Sequence, residues 1–112
     1  MPMVGVITNV SISGSARAEL ARGLGEAVQL IPGKSESQLM IKIEGESAIY
    51  LKGRDDLPAA YVWTDVSGHA DGAAYKAFGA AVTRLLGKVL AIPGGNVYLT
   101  VREIPVWVVN GE

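Results

Sequence analysis

The sequence predicts an α/β (α+β) fold. Two β-α-β units form a four-stranded sheet with two helices on one face, plus short edge strands. Three observations lead there. First, the chain echoes itself: Val6-Ile7-Thr8-Asn9-Val10-Ser11 resembles Val62-Trp63-Thr64-Asp65-Val66-Ser67 at an offset of 56, and Gly23 and Leu30 fall on Gly79 and Leu86 at the same offset. Ile31-Pro32-Gly33-Lys34 echoes Ile92-Pro93-Gly94-Gly95 at an offset of 61, so a second helix five residues longer reconciles the two. Ordered echoes of this kind mark a duplicated unit. Second, each half reads as strand, helix, turn, strand. Third, 112 residues with 49% hydrophobic and 19% charged content can bury a real core, so the chain is one domain. Its repeats run over about 2–45 and about 58–102.

Met3 to Val10 is rich in β-branched residues and reads as the first strand. Ser13 to Ser15 offers a helix N-cap, and Leu20, Leu24, Ala27 and Ile31 then recur on one helical face. Pro32-Gly33 stops that helix. Leu39, Ile41 and Ile43 alternate with Met40 and Lys42, the pattern of a half-buried strand. Ser47 to Lys52 offers a short extra strand, and Gly53-Arg54-Asp55-Asp56 a polar turn. In the second half Ala60 to Val66 is the strand and Asp71 the helix cap. Phe78, Val82, Leu85 and Val89 make the helical face, Pro93-Gly94-Gly95 the stop, and Val97 to Val101 the last strand. Gly23 and Gly79 lie inside helices, where glycine costs about 1 kcal/mol against alanine. They mark either close packing of each helix on the sheet or tolerated surface positions. The tail Ile104 to Val109 is apolar, with Pro105 inside it. An apolar edge of this kind needs a cover, and so do the apolar side chains on the second face of the sheet. A second copy of the chain is the expected cover.

Several function classes are excluded. Ten Lys and Arg against eleven Asp and Glu leave no basic excess to hold a nucleic-acid backbone. The absence of cysteine removes disulfides, thiolate metal sites and thiol nucleophiles, and a single histidine, His69, removes multi-histidine metal sites. No apolar run reaches the roughly 20 residues of a membrane span. Met1 to Val6 has neither a basic region nor a long apolar core, so the expected location is the cytoplasm. Gly33-Lys34-Ser35 imitates the end of a phosphate-binding loop, but Val28 stands where that motif needs glycine, and the tripeptide leaves a helix instead of entering one. Asp55-Asp56 reads as a solvated turn and His69 as a surface or capping residue.

Pro2 immediately precedes the first strand. The string Pro2-Met3-Val4-Gly5-Val6-Ile7-Thr8-Asn9-Val10, with the duplicated strand–helix–strand pattern, resembles the tautomerase superfamily, and most closely the macrophage migration inhibitory factor family. The stretch from Leu85 through Ala91-Ile92-Pro93-Gly94-Gly95-Asn96-Val97-Tyr98 fits the same family's second helix and following strand. The resemblance implies keto–enol tautomerisation of phenylpyruvate-type α-keto acids, with Pro2 as general base once the initiator methionine is removed. Removal turns the Pro2 nitrogen from an amide into a secondary amine. Burial lowers an α-amino pKa from about 7.7–8.0 toward working pH, where a base is most useful.

By position, the resemblance also implies that Lys34 contacts the substrate carboxylate and that Ser67 presents a backbone N–H. Tyr98 would enter the pocket of a neighbouring subunit of a homotrimer. Read without the resemblance, Lys34 is a solvated turn lysine and Tyr98 a strand tyrosine. Thr100 stands where the family has asparagine, and Trp107 belongs to the pocket rim or to a subunit interface. No cofactor or metal is implied. The cysteine pair of the animal cytokines is replaced by Ala59 and Val62, which removes thiol–disulfide activity. A non-catalytic binding or cytokine-like signalling protein on the same trimeric scaffold is the alternative.

Overall fold

The computed structural model describes residues 1–112. Strand β1 (Pro2–Thr8) leads through helix α1 (Gly14–Ala27) to strand β2 (Met40–Glu44), and strand β3 (Ala60–Ser67) leads through helix α2 (Gly72–Leu90) to strand β4 (Val97–Ile104). The four strands form one sheet in the order β2-β1-β3-β4. Each strand–helix–strand unit closes on a parallel pair, β1 with β2 and β3 with β4, and the units join through the antiparallel β1–β3 pair. Its register runs from Pro2 opposite Val66 to Thr8 opposite Ala60.

The period-two pattern sorts the strands into two faces. Val4, Val6, Val62 and Val66 point to the helices and form one core with Leu20, Leu24, Phe78, Val82 and Leu86. Burying each of these large side chains contributes about 1.5–3 kcal/mol. One core hydroxyl, Thr64 Oγ1, is buried without a partner. The opposite face carries Met40, Tyr61, Tyr98 and Thr100, with Trp63 lying across Gly5.

The helix ends follow local chemistry. Ser13 caps α1, its Oγ accepting from the Ala16 N–H, and Asp71 caps α2 by accepting from the Ala73 N–H. Helix α1 has 14 residues and α2 has 19, the five-residue difference the echoes require. Helix α1 stops at Ala27 and tightens into a 3₁₀ turn, Val28–Leu30, so Ile31 lies beyond the helix yet is fully buried. Helix α2 ends on Ala91, which takes the left-handed conformation (φ 57°) in a position glycine usually fills.

Four expectations need correction. Gly23 does not pack on the sheet. It faces Leu85 of α2, so it is the close approach of the two helices; Gly79 does face the sheet, at Leu99. Ser47 to Lys52 forms no strand. The chain reverses at Lys52-Gly53, both at positive φ, and makes one isolated bridge between Leu51 and Arg54. Strand β1 ends at Thr8 instead of Val10, because side chains take over the bonding there. Thr8 Oγ1 donates to the Ala59 carbonyl at 2.7 Å, and Asn9 bonds Leu57 and Ala59. The echoing Thr64 and Asp65 do none of this: Thr64 Oγ1 is unpartnered and Asp65 pairs with Arg102. The last strand runs on to Ile104, where Pro105, lacking an N–H, closes the ladder.

Candidate active site

Pro2 is buried at the head of β1, beside β3. Met1 continues along β3: its carbonyl accepts from the Ser67 N–H at 3.0 Å, and its terminal amine donates to Ser67 Oγ at 3.0 Å. The Ser67 amide is therefore spent on Met1 while Met1 is present, and the expected free N–H appears only when that residue leaves.

Lys34 reaches the same place from the other side of the chain. Gly33, at φ 78°, turns the backbone, and the Lys34 N–H closes on the Ile31 carbonyl at 3.1 Å. Buried Ile31 pins this turn to the core. The Lys34 ammonium then donates to the Ser67 carbonyl at 2.6 Å and lies 3.4 Å from Ser67 Oγ. Neither Lys34 nor the terminal amine has a carboxylate partner; the ion pairs of the molecule are Lys42–Glu44, Arg54–Asp56, His69–Glu103 and Arg102–Asp65. Burial lowers the pKa of the terminal amine, and Lys34, as hydrogen-bond neighbour and as charge, lowers it further. Two basic groups on one serine, with no counter-ion, suit an anionic ligand.

Trp107 is half-buried beyond β4 and stands between two hollows. One, of about 610 Å³, is lined with Ser67, Gly68, Glu103 and Pro105. The other, of about 540 Å³, is lined with Pro2, Gln38, Met40 and Asp65. Pro2, Lys34, Ser67 and Trp107 thus gather at one end of the sheet.

Tyr98 and Thr100 do not join them. Tyr98 lies opposite Tyr61 and Thr100 opposite Trp63, whereas Pro2 lies opposite Val66. Five residues of β3 separate Tyr61 from Val66, roughly 17 Å at the usual strand rise. Tyr98 instead borders an apolar hollow of about 240 Å³ with Ile7, Ile49, Tyr50, Tyr61 and Asn96. The Thr100 hydroxyl is engaged by the Tyr61 hydroxyl at 2.7 Å.

Sequence reasoning missed Glu103 and Asp65, each lining one of the two Trp107 hollows. Glu103 had a signal: it falls on the helix-facing side of β4, after Val97, Leu99 and Val101, where an apolar residue is expected. The Tyr75 hydroxyl donates to Glu103 at 2.6 Å, the Ala70 N–H at 3.2 Å, and His69 Nδ1 approaches it to 2.9 Å. Tyr75 first, then His69, hold its carboxyl at a pKa of about 2.

A duplicated β-α-β sheet with a buried proline heading a central strand is the arrangement the sequence resemblance implies. The family model of the macrophage migration inhibitory factor (MIF) matches residues 1–112. The chain belongs to the macrophage migration inhibitory factor family. The structure is similar to that of MIF2 from Leishmania major, with a TM-score of 0.91 and 25% identity over 99% of this chain and 95% of that one. The macrophage migration inhibitory factor homologue from Prochlorococcus marinus gives a TM-score of 0.83 and 21% identity, over 97% of this chain and 96% of that one. A chain described as fused 4-OT, wild type, symmetric trimer gives 0.85 and 21%, over 98% and 94%. Comparison with curated proteins found no match. No helix is long and apolar enough to cross a membrane.

Proposed function

We propose that the protein is a keto–enol tautomerase of phenylpyruvate-type α-keto acids, with Pro2 as general base after Met1 is removed. The observation that carries this reading is the convergence of buried Pro2, Ser67 and the un-ion-paired Lys34 at one end of the sheet. Loss of Met1 does three things at once. It makes the Pro2 nitrogen a secondary amine, frees the Ser67 N–H, and frees Ser67 Oγ. A keto acid then fits in one orientation. Lys34 moves from the Ser67 carbonyl to the substrate carboxylate, and the Ser67 N–H supports the same end. The carbon next to the ketone faces the Pro2 nitrogen. The nitrogen takes the carbon-bound proton and returns it to oxygen, giving the enol; the reverse step gives the ketone. The base must be unprotonated, so kcat/KM falls as pH drops through the Pro2 pKa.

Tyr98 and Thr100 enter this scheme only from a second copy, since their own chain holds them too far from Pro2. A homotrimer, the assembly of the fused 4-OT chain, supplies such a copy. The second reading is a non-catalytic binding or cytokine-like protein on the same scaffold. A chain that keeps Met1 on Ser67 would fit it, and so does the engagement of Thr100 with Tyr61. Intact mass separates the two, because a chain that keeps Met1 has no free proline amine. The decisive test adds one residue before Pro2 in the processed protein. Tautomerisation of phenylpyruvate should then be lost while the assembly persists, and Pro2→Ala should lose about 10²-fold. Undiminished activity with the blocked terminus overturns the reading.

A further inference from the structure

The geometry points to Glu103 as the positioning residue of this site: its carboxylate clamps the Ser67–Ala70 turn to the end of β4 and thereby sets where Ser67 meets Lys34. The inference rests on the reading of the Pro2 end of the sheet as a substrate site. Between Ser67 and the cap Asp71 the chain runs through Gly68, at φ 81°, then His69 and Ala70. None of these three makes a hydrogen bond to another backbone group. Ser67 is held by β4, Met1 and Lys34, but the hydrogen-bonded tie of Gly68, His69 and Ala70 to the rest of the molecule is Glu103, which takes the Ala70 N–H at 3.2 Å and His69 Nδ1 at 2.9 Å. Tyr75 from α2 fixes the same carboxylate at 2.6 Å. Three elements, β4, the turn and α2, are therefore locked at one group.

The lock matters because Ser67 opens the turn. Its carbonyl receives Lys34 at 2.6 Å, and Ser67, Gly68 and Glu103 line the same hollow as Trp107. The bonds Glu103 makes hold Gly68 to Ala70, residues with no backbone partner of their own. Glu103 touches no reacting atom in this scheme. It acts through Ser67, and a misplacement of about 1 Å at such a point can cost 10²-fold in rate.

The test uses the processed full-length protein. Glu103→Ala should raise KM for phenylpyruvate about tenfold or more and leave kcat within a few-fold, because it loosens carboxylate binding and leaves the base in place. Glu103→Gln keeps an acceptor for the Ala70 N–H and should recover most of the loss. In the Lys34→Ala background, Glu103→Ala should add little, since both changes act through one contact. Amide NMR resonances of Ser67 and Ala70 should move in Glu103→Ala. An unchanged KM, a fully additive double variant, or unmoved Ser67 and Ala70 resonances overturns the inference. If the unsubstituted protein fails to turn over phenylpyruvate, the catalytic reading fails by itself. The amide shifts then still decide whether Glu103 sets the position of Ser67.

Discussion

Lys34 meets Ser67 across 33 residues of sequence because a proline–glycine turn, pinned by Ile31, aims it there. An ammonium held only by a carbonyl and a hydroxyl is ready to exchange those partners for a carboxylate. If it does so in the substrate complex, Lys34→Ala removes a charge-assisted hydrogen bond of about 1.5–3 kcal/mol. Steady-state kinetics should then show kcat/KM lower by roughly 10- to 150-fold, chiefly through KM; unchanged kinetics would make Lys34 an ordinary turn lysine. Glu103 makes a second prediction at this scale. Tyr75 and His69 hold its carboxyl at about 2 in the folded chain, below the ordinary 4.5. A depressed pKa stabilises the fold fully above the ordinary value and loses that contribution as pH falls from 4.5 through about 2. Urea midpoints measured between pH 6 and pH 2 should fall further for the unsubstituted protein than for Glu103→Gln.

The elements meet at two glycines that differ in what stands over them. A Cβ on Gly5 would collide with the indole of Trp63, a rigid ring that cannot give way by a small rotation. A Cβ on Gly23 would come within 2.5 and 2.7 Å of the Leu85 methyls, the far end of a flexible side chain. Alanine at 23 also gains about 1 kcal/mol of helix propensity. Thermal melts should therefore show Gly5→Ala destabilised by about 1–3 kcal/mol and Gly23→Ala close to neutral. Replacing Trp63 by leucine in the Gly5→Ala background should restore part of the loss. If Gly5→Ala melts like the parent, the indole does not need that space.

On the scale of the whole molecule, one side of the sheet has no helices over it. Met40, Tyr98, Val106 and Val108 are 68%, 62%, 76% and 62% exposed in the single chain. The apolar tail beyond Pro105 joins no strand of its own chain, and Tyr98 borders an apolar hollow far from Pro2. Cover from further copies meets both needs, and in the proposed trimer it would bring a tyrosine to each Pro2. Light scattering should give a mass near three times 11.7 kDa. A stable monomer at micromolar concentration would remove Tyr98 and Thr100 from the site.

The strands, helices and caps were legible because they depend on residues one to four positions apart. Ile41 and Ile43 alternate with Met40 and Lys42, Ser13 and Asp71 cap their helices, and Phe78 and Val82 lie one turn apart. Pro2 and Lys34 stood out through the family resemblance and the turn that carries the lysine. The sheet order, the register that sets Pro2 against Val66, and the partners of Ser67 were decided only by the tertiary structure. So were the grip of Glu103 on Tyr75, 28 residues away, and the approach of Gly23 to Leu85. The echo of Thr8-Asn9 in Thr64-Asp65 marks the duplicated unit but not the bonds made there, for the same reason. The same threonine ends a strand in one unit and lies inside a strand in the other, where its hydroxyl finds no partner. Local periodicity records which face a residue takes, but what it meets there depends on how the two units pack together.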